Sequence, residues 1–143
     1  MAVDRAALAA GCFRLASGVS FLVDPIRANR LWGAPADEPA PTARLLLRSM
    51  GYRDALIGAM LATAALRNAN TRGWFLASAG ADAADLLGGM GVHHQMPRAQ
   101  RLIGLGGAVV GIAVGLWGAG RPAGRSVRRQ RPVVRPESEQ RDP

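Results

Sequence analysis

The sequence has one cysteine, no lysine and few aromatic residues, 5% of its 143 positions. With Cys12 alone, neither an intramolecular disulfide nor a thiolate metal cluster can form. All 18 basic residues are arginine, a usage that reflects base composition and carries no functional reading. Nucleophilic hydrolysis lacks its constellation, because Ser17, Ser20 and Ser78 have no histidine partner at any motif spacing. A dinucleotide loop is equally unsupported. Gly104-Leu105-Gly106-Gly107 is followed by Val109 where that motif needs a small residue, no strand precedes it, and no acidic residue lies about twenty positions on. His93 and His94 are adjacent, so they point apart on a helix, and no carboxylate or cysteine lies nearby to complete a metal site. No cofactor is implied. Ala9-Ala10-Gly11-Cys12 has the form of a lipoprotein cleavage site, but the apolar run before it, Ala6 to Gly11, is too short for a signal segment. The N-terminus reads as retained.

What the chain does have is glycine (18 residues), much alanine, and apolar runs of similar length. Small residues in this abundance suit helices whose backbones approach closely, as in membrane bundles. Leu102 to Gly120 is the clearest run, 19 residues without a charge. At about 1.5 Å per residue it matches the ~30 Å hydrocarbon core of a bilayer. A soluble helix needs a polar face, and this segment has none. Three further runs carry a few charges each. Residues 6–23 contain Arg14 and stop at Asp24-Pro25. Residues 45–66 contain Arg48, Arg53 and Asp54 in their first half, and residues 73–92 contain Asp82 and Asp85.

Together these runs predict an all-α fold, a four-helix transmembrane bundle occupying residues 1–120. Residues 121–143, rich in arginine and proline, are expected to form a disordered basic tail. The connection from Asp24 to Thr42 is long and proline-rich, whereas Arg67 to Arg72 is a tight polar turn that makes the second and third helices an antiparallel hairpin.

Charge sets the address. A net charge of +8 invites a nucleic-acid reading, yet seven arginines lie in the tail and the rest mostly flank apolar runs. A juxtamembrane tail facing anionic lipid accounts for that distribution better than nucleic acid does. The expected partners are therefore the lipid bilayer, anionic lipid at the tail, and at most a second copy of the chain. With four spans, the side holding both termini and the Arg67–Arg72 turn carries ten arginines against six opposite. The positive-inside rule then makes both termini cytoplasmic, in the plasma membrane. Without the tail the balance would be three against six and would point the other way. Trp74 and Trp117 are expected at the cytoplasmic interface and Trp32 at the outer one.

Arg53, Asp54, Asp82 and Asp85 stand inside these segments. An ionisable side chain at bilayer depth costs at least ~2.5–3.5 kcal/mol, so such residues face the bundle interior or water, and pair. In a hairpin turning at residues 69–70, Asp54 and Asp85 are level and Arg53 is one position off. Arg53 is therefore expected to bridge to Asp85, with Asp82 one turn nearer the cytoplasm on the same face. Arg14 supplies a second cation, which leaves one carboxylate over. This polar centre is either a structural network fixing helix order or a site for a lipid headgroup, quinone or proton. Gly107, Gly111 and Gly115 form overlapping GxxxG motifs on the last helix, and Gly80, Ala84 and Gly88 repeat the pattern on the third. These two faces are expected to pack within the bundle, the alternative being dimerisation through the last helix.

The run Arg48-Ser49-Met50-Gly51-Tyr52-Arg53-Asp54-Ala55-Leu56-Ile57-Gly58, followed by Asp82-Ala83-Ala84-Asp85, resembles small four-span bacterial membrane proteins of unknown function, common in actinomycetes. The likeness covers roughly residues 6 to 120 and implies a helical membrane bundle without adding an activity. In size and architecture the chain is also similar to the four-helix membrane subunits of quinone-linked oxidoreductases, the DoxX-like group. The expectation is a structural or accessory membrane protein, with a membrane enzyme subunit or carrier as the alternative.

Overall fold

The computed structural model describes residues 3–35 and 40–121, and every regular element among them is helical. The basic tail beyond Arg121, and Asp37, Glu38 and Pro39 of the proline-rich connection, lie outside the described residues.

Local chemistry sets the boundaries. Helix α1, Arg5–Val23, begins where the Asp4 carboxylate accepts the Ala7 N–H at 3.1 Å. It ends at Asp24, whose side chain accepts the Arg27 N–H at 3.0 Å and so caps a second helix, α2, Pro25–Leu31. Asp-Pro is both terminator and starter, because proline cannot continue α1 but is pre-set for the first position of α2. This short helix replaces part of the connection expected to be irregular; seven residues are too few to show periodicity. Helix α3, Pro41–Leu66, again opens on proline and starts earlier than the expected Leu45. Arg44 and Arg48 interrupt the apolar pattern there without interrupting the helix.

Helix α3 closes through Asn68, whose φ of +51° is left-handed and which asparagine tolerates better than most residues. The Asn70 side chain then accepts the Arg72 N–H at 3.0 Å, at the start of helix α4, Arg72–Val92. A 3₁₀ turn, His93–Gln95, leads to helix α5, Arg98–Gly120, which contains a π-helical turn at Arg101–Leu105. Gly33, with φ +84°, lets the α2–α3 connection press against α5; a Cβ there would stand 2.7 Å from the Gln100 nitrogen.

The long helices pack as two antiparallel pairs. In the first, α1 lies on α3 through four glycines spaced by seven, Gly11 and Gly18 facing Gly58 and Gly51. A Cβ on Gly11 would stand 2.6 Å from the Ala62 nitrogen, and one on Gly58 would stand 2.7 Å from the Gly11 oxygen. In the second, α4 lies on α5. Gly115 receives the Phe75 carbonyl and Ala79, Gly118 receives the Phe75 ring, and Gly111 receives the Asp82 carboxylate. The glycine face of α5 packs within the chain, but not on the partner face expected for it: Gly107 meets Trp32 of α2, and Gly111 and Gly115 meet Asp82, Phe75 and Ala79 of α4. The matching expectation for α4 fails: Gly80, Ala84 and Gly88 are exposed, and a Cβ on Gly80 or Gly88 would meet nothing within 4 Å. The face of α4 that packs carries Phe75, Ala79 and Asp82, rotated away from the small-residue stripe. A spacing of four fits any helix face, and only the partner's shape selects one.

At the end that holds the Arg67–Arg72 turn and the outer ends of α1 and α5, the two pairs close on Ala7, Leu61, Ala65, Phe75 and Ala119. Arg121 seals that end, its Nη1 donating to Asp4 at 3.1 Å and its guanidinium 5.0 Å from the Trp117 ring. Trp32, expected at a membrane interface, turns inward instead and sets its ring over Gly107.

Two outcomes are expected of thermal unfolding in detergent. Gly58→Leu or Gly18→Leu, which force backbone apart, should cost about 1–3 kcal/mol or more, whereas Gly80→Ala should be tolerated. The second outcome concerns acid. Burial raises the Asp4 pKa, but the Ala7 N–H, Arg121 and the Ala6 N–H outweigh it and hold the carboxyl below its ordinary value. Such a group stabilises the fold above its unfolded pKa, and that contribution is lost as pH falls through the lower folded value. Wild type should therefore lose stability below about pH 4, by no more than ~1 kcal/mol for so exposed a pair, and Asp4→Asn should remove that part of the slope.

Candidate functional site

Between the two pairs, away from the closed end, five charged side chains meet. Arg14 comes from α1, Arg53 and Asp54 from α3, and Asp82 and Asp85 from α4. Arg14 reaches across the gap. Its Nη1 donates to Asp82 Oδ2 at 2.8 Å and to the Ser78 hydroxyl at 2.6 Å, and its Nη2 donates to Asp82 Oδ1 at 2.9 Å and to Asp54 Oδ1 at 3.0 Å. Arg53 makes a fork to Asp85, Nη1 to Oδ1 at 3.0 Å and Nη2 to Oδ2 at 2.7 Å, and its Nε donates to Asp54 Oδ1 at 3.2 Å.

The result is one chain of charges, Asp82–Arg14–Asp54–Arg53–Asp85, with Asp54 Oδ1 shared by both guanidinium groups. Two parallel N–H···O bonds per arginine give the bidentate geometry that makes such pairs strong and directional. The chain is graded in burial. Arg14, Asp82 and Asp54 are 12%, 13% and 16% exposed, against 34% and 38% for Arg53 and Asp85. Arg14 Nε is buried without a hydrogen-bond partner among the described residues.

The structure places all five expected polar residues together, and the Arg53–Asp85 fork is the pairing read from the hairpin register. Asp82 reaches the same centre through Arg14 and not through Arg53. Arg14 is more than a supplementary cation: it is the most enclosed of the five and the only one that joins α1 to α4. The sequence reading missed Ser78, buried in the packed face of α4 four residues before Asp82 and so one turn along the same face. Spacing from Asp82 was the signal that could have found it. Gly111 was read as a packing residue; it also makes room for the Asp82 carboxylate, so the glycine stripe of α5 and the charge chain meet at one point.

The centre forms the floor of a cavity of about 570 Å³. Arg14, Asp54, Asp82 and Asp85 line it at one end, and α2 lies over the other with Asn29 and Trp32. The π-helical turn of α5 contributes Gly104 and Leu105 to the wall, a common place for such turns. Among the described residues no group of three His, Cys, Asp or Glu side chains is arranged to hold a metal ion. The arrangement offers hydrogen-bond acceptors and charge in a space whose lining is mostly apolar, with Ser17, Asn29 and Gln100 as further polar groups.

Arg14→Ala should destabilise the chain by about 3–5 kcal/mol, because Asp82 would be left buried without its cation and Asp54 would keep only Arg53. Arg53→Ala should cost clearly less, since Arg53 and Asp85 are the least buried of the five. Replacing Arg14 and Asp82 together with Met and Leu should recover much of the loss, as a thermal-unfolding double-mutant cycle will measure.

A family model described as "Domain of unknown function (DUF4267)" matches residues 11–118. No curated protein and no solved structure matches the chain.

Proposed function

This chain belongs to the DUF4267 family of unknown function, and we propose that it is a four-span plasma-membrane protein of structural or accessory role, whose Arg/Asp chain clamps two helix pairs together. The observation that carries this reading is the inversion of burial. Phe13 and Leu102 are 72% and 74% exposed, while Arg14 and Asp82 are almost enclosed. Water would favour the opposite distribution, and lipid favours this one. Helices α1 and α5 are long and apolar enough to cross a membrane, and only 22% of the apolar stretch of each is buried. A core helix of a soluble protein would be mostly buried. Arg53 and Asp54 of α3 and Asp82 and Asp85 of α4 meet between the pairs, while Arg48 and Arg72, nearer the helix ends, are exposed, which supports counting these helices as spans as well.

The clamp follows from the packing. Each pair is held by backbone-to-backbone contact at glycine, which is geometric and needs no water to drive it. Between the pairs, charge-assisted hydrogen bonds fix which pair meets which and at what height. A second reading, a carrier or a membrane enzyme subunit, is supported by the cavity: a purely structural ion-pair network does not need about 570 Å³ of open space beside it.

On this reading the full chain should remain with membranes washed in alkaline carbonate, and release into the supernatant would remove the membrane assignment. In a Cys12→Ser background, a membrane-impermeant maleimide applied to intact cells should label Gln95→Cys and spare Asn68→Cys. The reverse labelling would invert the orientation, and labelling of both would break the four-span topology.

A further inference from the structure

We propose that the cavity binds a membrane-borne amphiphile with an ammonium head, taken in sideways between α1 and α5 and held by the Asp54 carboxylate. The inference rests on the second, ligand-binding reading of the site, and three independent observations carry it.

The first is charge balance. The centre holds three aspartates and two arginines, a net charge of −1. An uncompensated charge at this depth is costly, and one added cation removes the deficit. The second is a vacant acceptor in the right place. Asp54 receives both arginines through Oδ1, and among the described residues no hydrogen bond reaches its Oδ2. That oxygen is not a sealed one, and Asp54 lines the cavity. Each oxygen of Asp82 and Asp85 already accepts one arginine N–H, so Asp54 Oδ2 is the carboxylate oxygen of the centre that no donor reaches among the described residues.

The third observation is the shape of the remaining wall. Phe13 on α1 and Val110 and Val114 on α5 line the cavity and are also exposed on the outer surface. These are the two helices most suited to face lipid, and the gap between them is bordered by apolar side chains alone at these positions. A ligand crossing that gap must itself be apolar along its body. Inside, the half-buried Trp32 offers aromatic surface to a cation or to its hydrocarbon chain. The volume suits a single molecule of drug or short-lipid size. An ammonium-headed amphiphile meets all three conditions. A neutral one leaves the charge deficit, and an anionic one deepens it.

The test uses the full chain in nanodiscs at pH 7 with three probes of equal length, decylammonium, decanol and decanoate, binding being read against empty nanodiscs. Decylammonium should bind saturably, near one per chain, and at least tenfold more tightly than decanol, with decanoate weaker still. Asp54→Asn, which keeps the acceptor geometry toward the arginines but removes the charge, should weaken decylammonium at least tenfold. Val110→Trp, at an exposed position, should weaken it comparably while leaving the melting temperature unchanged, so a loss there cannot be blamed on misfolding. Equal binding of decanol, tighter binding of decanoate, or no saturable binding by a folded chain would overturn the assignment. If binding fails while Arg14→Ala still destabilises and the chain still resists carbonate, the ligand assignment falls and the structural clamp stands. Release by carbonate would take both away. Zwitterionic phosphatidylethanolamine, whose phosphate cancels its ammonium charge, should compete poorly for the site beside a lipophilic amine, and competition as strong as the amine's would overturn the charge-balance argument.

Discussion

The Arg14 guanidinium is the single group on which the arrangement of the helices depends. Within each pair, α1 with α3 and α4 with α5, the contact is made at glycines, against glycine and alanine backbone in the first and against Phe75, Ala79 and Asp82 in the second. Between the pairs, on the cavity side of Phe75, contact is made by charge. Arg14 alone touches both Asp54 on the far side of its own pair and Asp82 with Ser78 on the other. Four donated hydrogen bonds from one planar group fix rotation and height together, which a sliding apolar contact cannot do. Such a network adds little net stability over a well-packed apolar alternative, because desolvation consumes most of the attraction. Its effect is to penalise every arrangement in which the aspartates lose their cations.

The interior beside these residues is not filled, and Arg14, Asp54 and Asp82 form part of the wall of the space that remains. At Gly111 the missing side chain admits a carboxylate, and at Gly107 it admits the Trp32 ring, so α5 gives up volume where α4 and α2 need it. The closed end, by contrast, has Leu61 and Phe75 fully buried and no charge among its core residues. One half of the molecule is packed and the other is built around a polar floor.

The run that carries the resemblance divides its labour. Gly51 and Gly58 face α1, Arg53 reaches Asp85 on α4, and Asp54 meets Arg14 where the two pairs join. Only Tyr52 and Arg53 lie between Gly51 and Asp54, so neighbouring positions on one stretch of helix serve both the tight pair and the charge chain. The hairpin register was legible, because a short turn fixes which residues are level, and with it the Arg53–Asp85 fork. The heptad glycines Gly11, Gly18, Gly51 and Gly58 were equally visible as letters, but a spacing of seven has meaning only once a second helix with the same spacing is known to lie against it. Helix α2 was hidden by its length, although Asp24-Pro25 is a proper cap and first position. The outward turn of Gly80, Ala84 and Gly88 had no sequence signal at all.

The sequence by itself determined the helical class, the extents of the long helices to within a few residues, the hairpin, and the identity of the charges that would have to find one another. Those follow from local and near-local physics: apolar run length, proline and aspartate at helix ends, and the cost of leaving an ionisable group alone in an apolar setting. Only the tertiary structure decided that the bundle divides into α1–α3 and α4–α5, that Arg14 and not Arg53 is the central cation, and that a cavity remains beside it. Those outcomes depend on backbone approach at particular glycines, a property of two surfaces meeting that neither surface states alone.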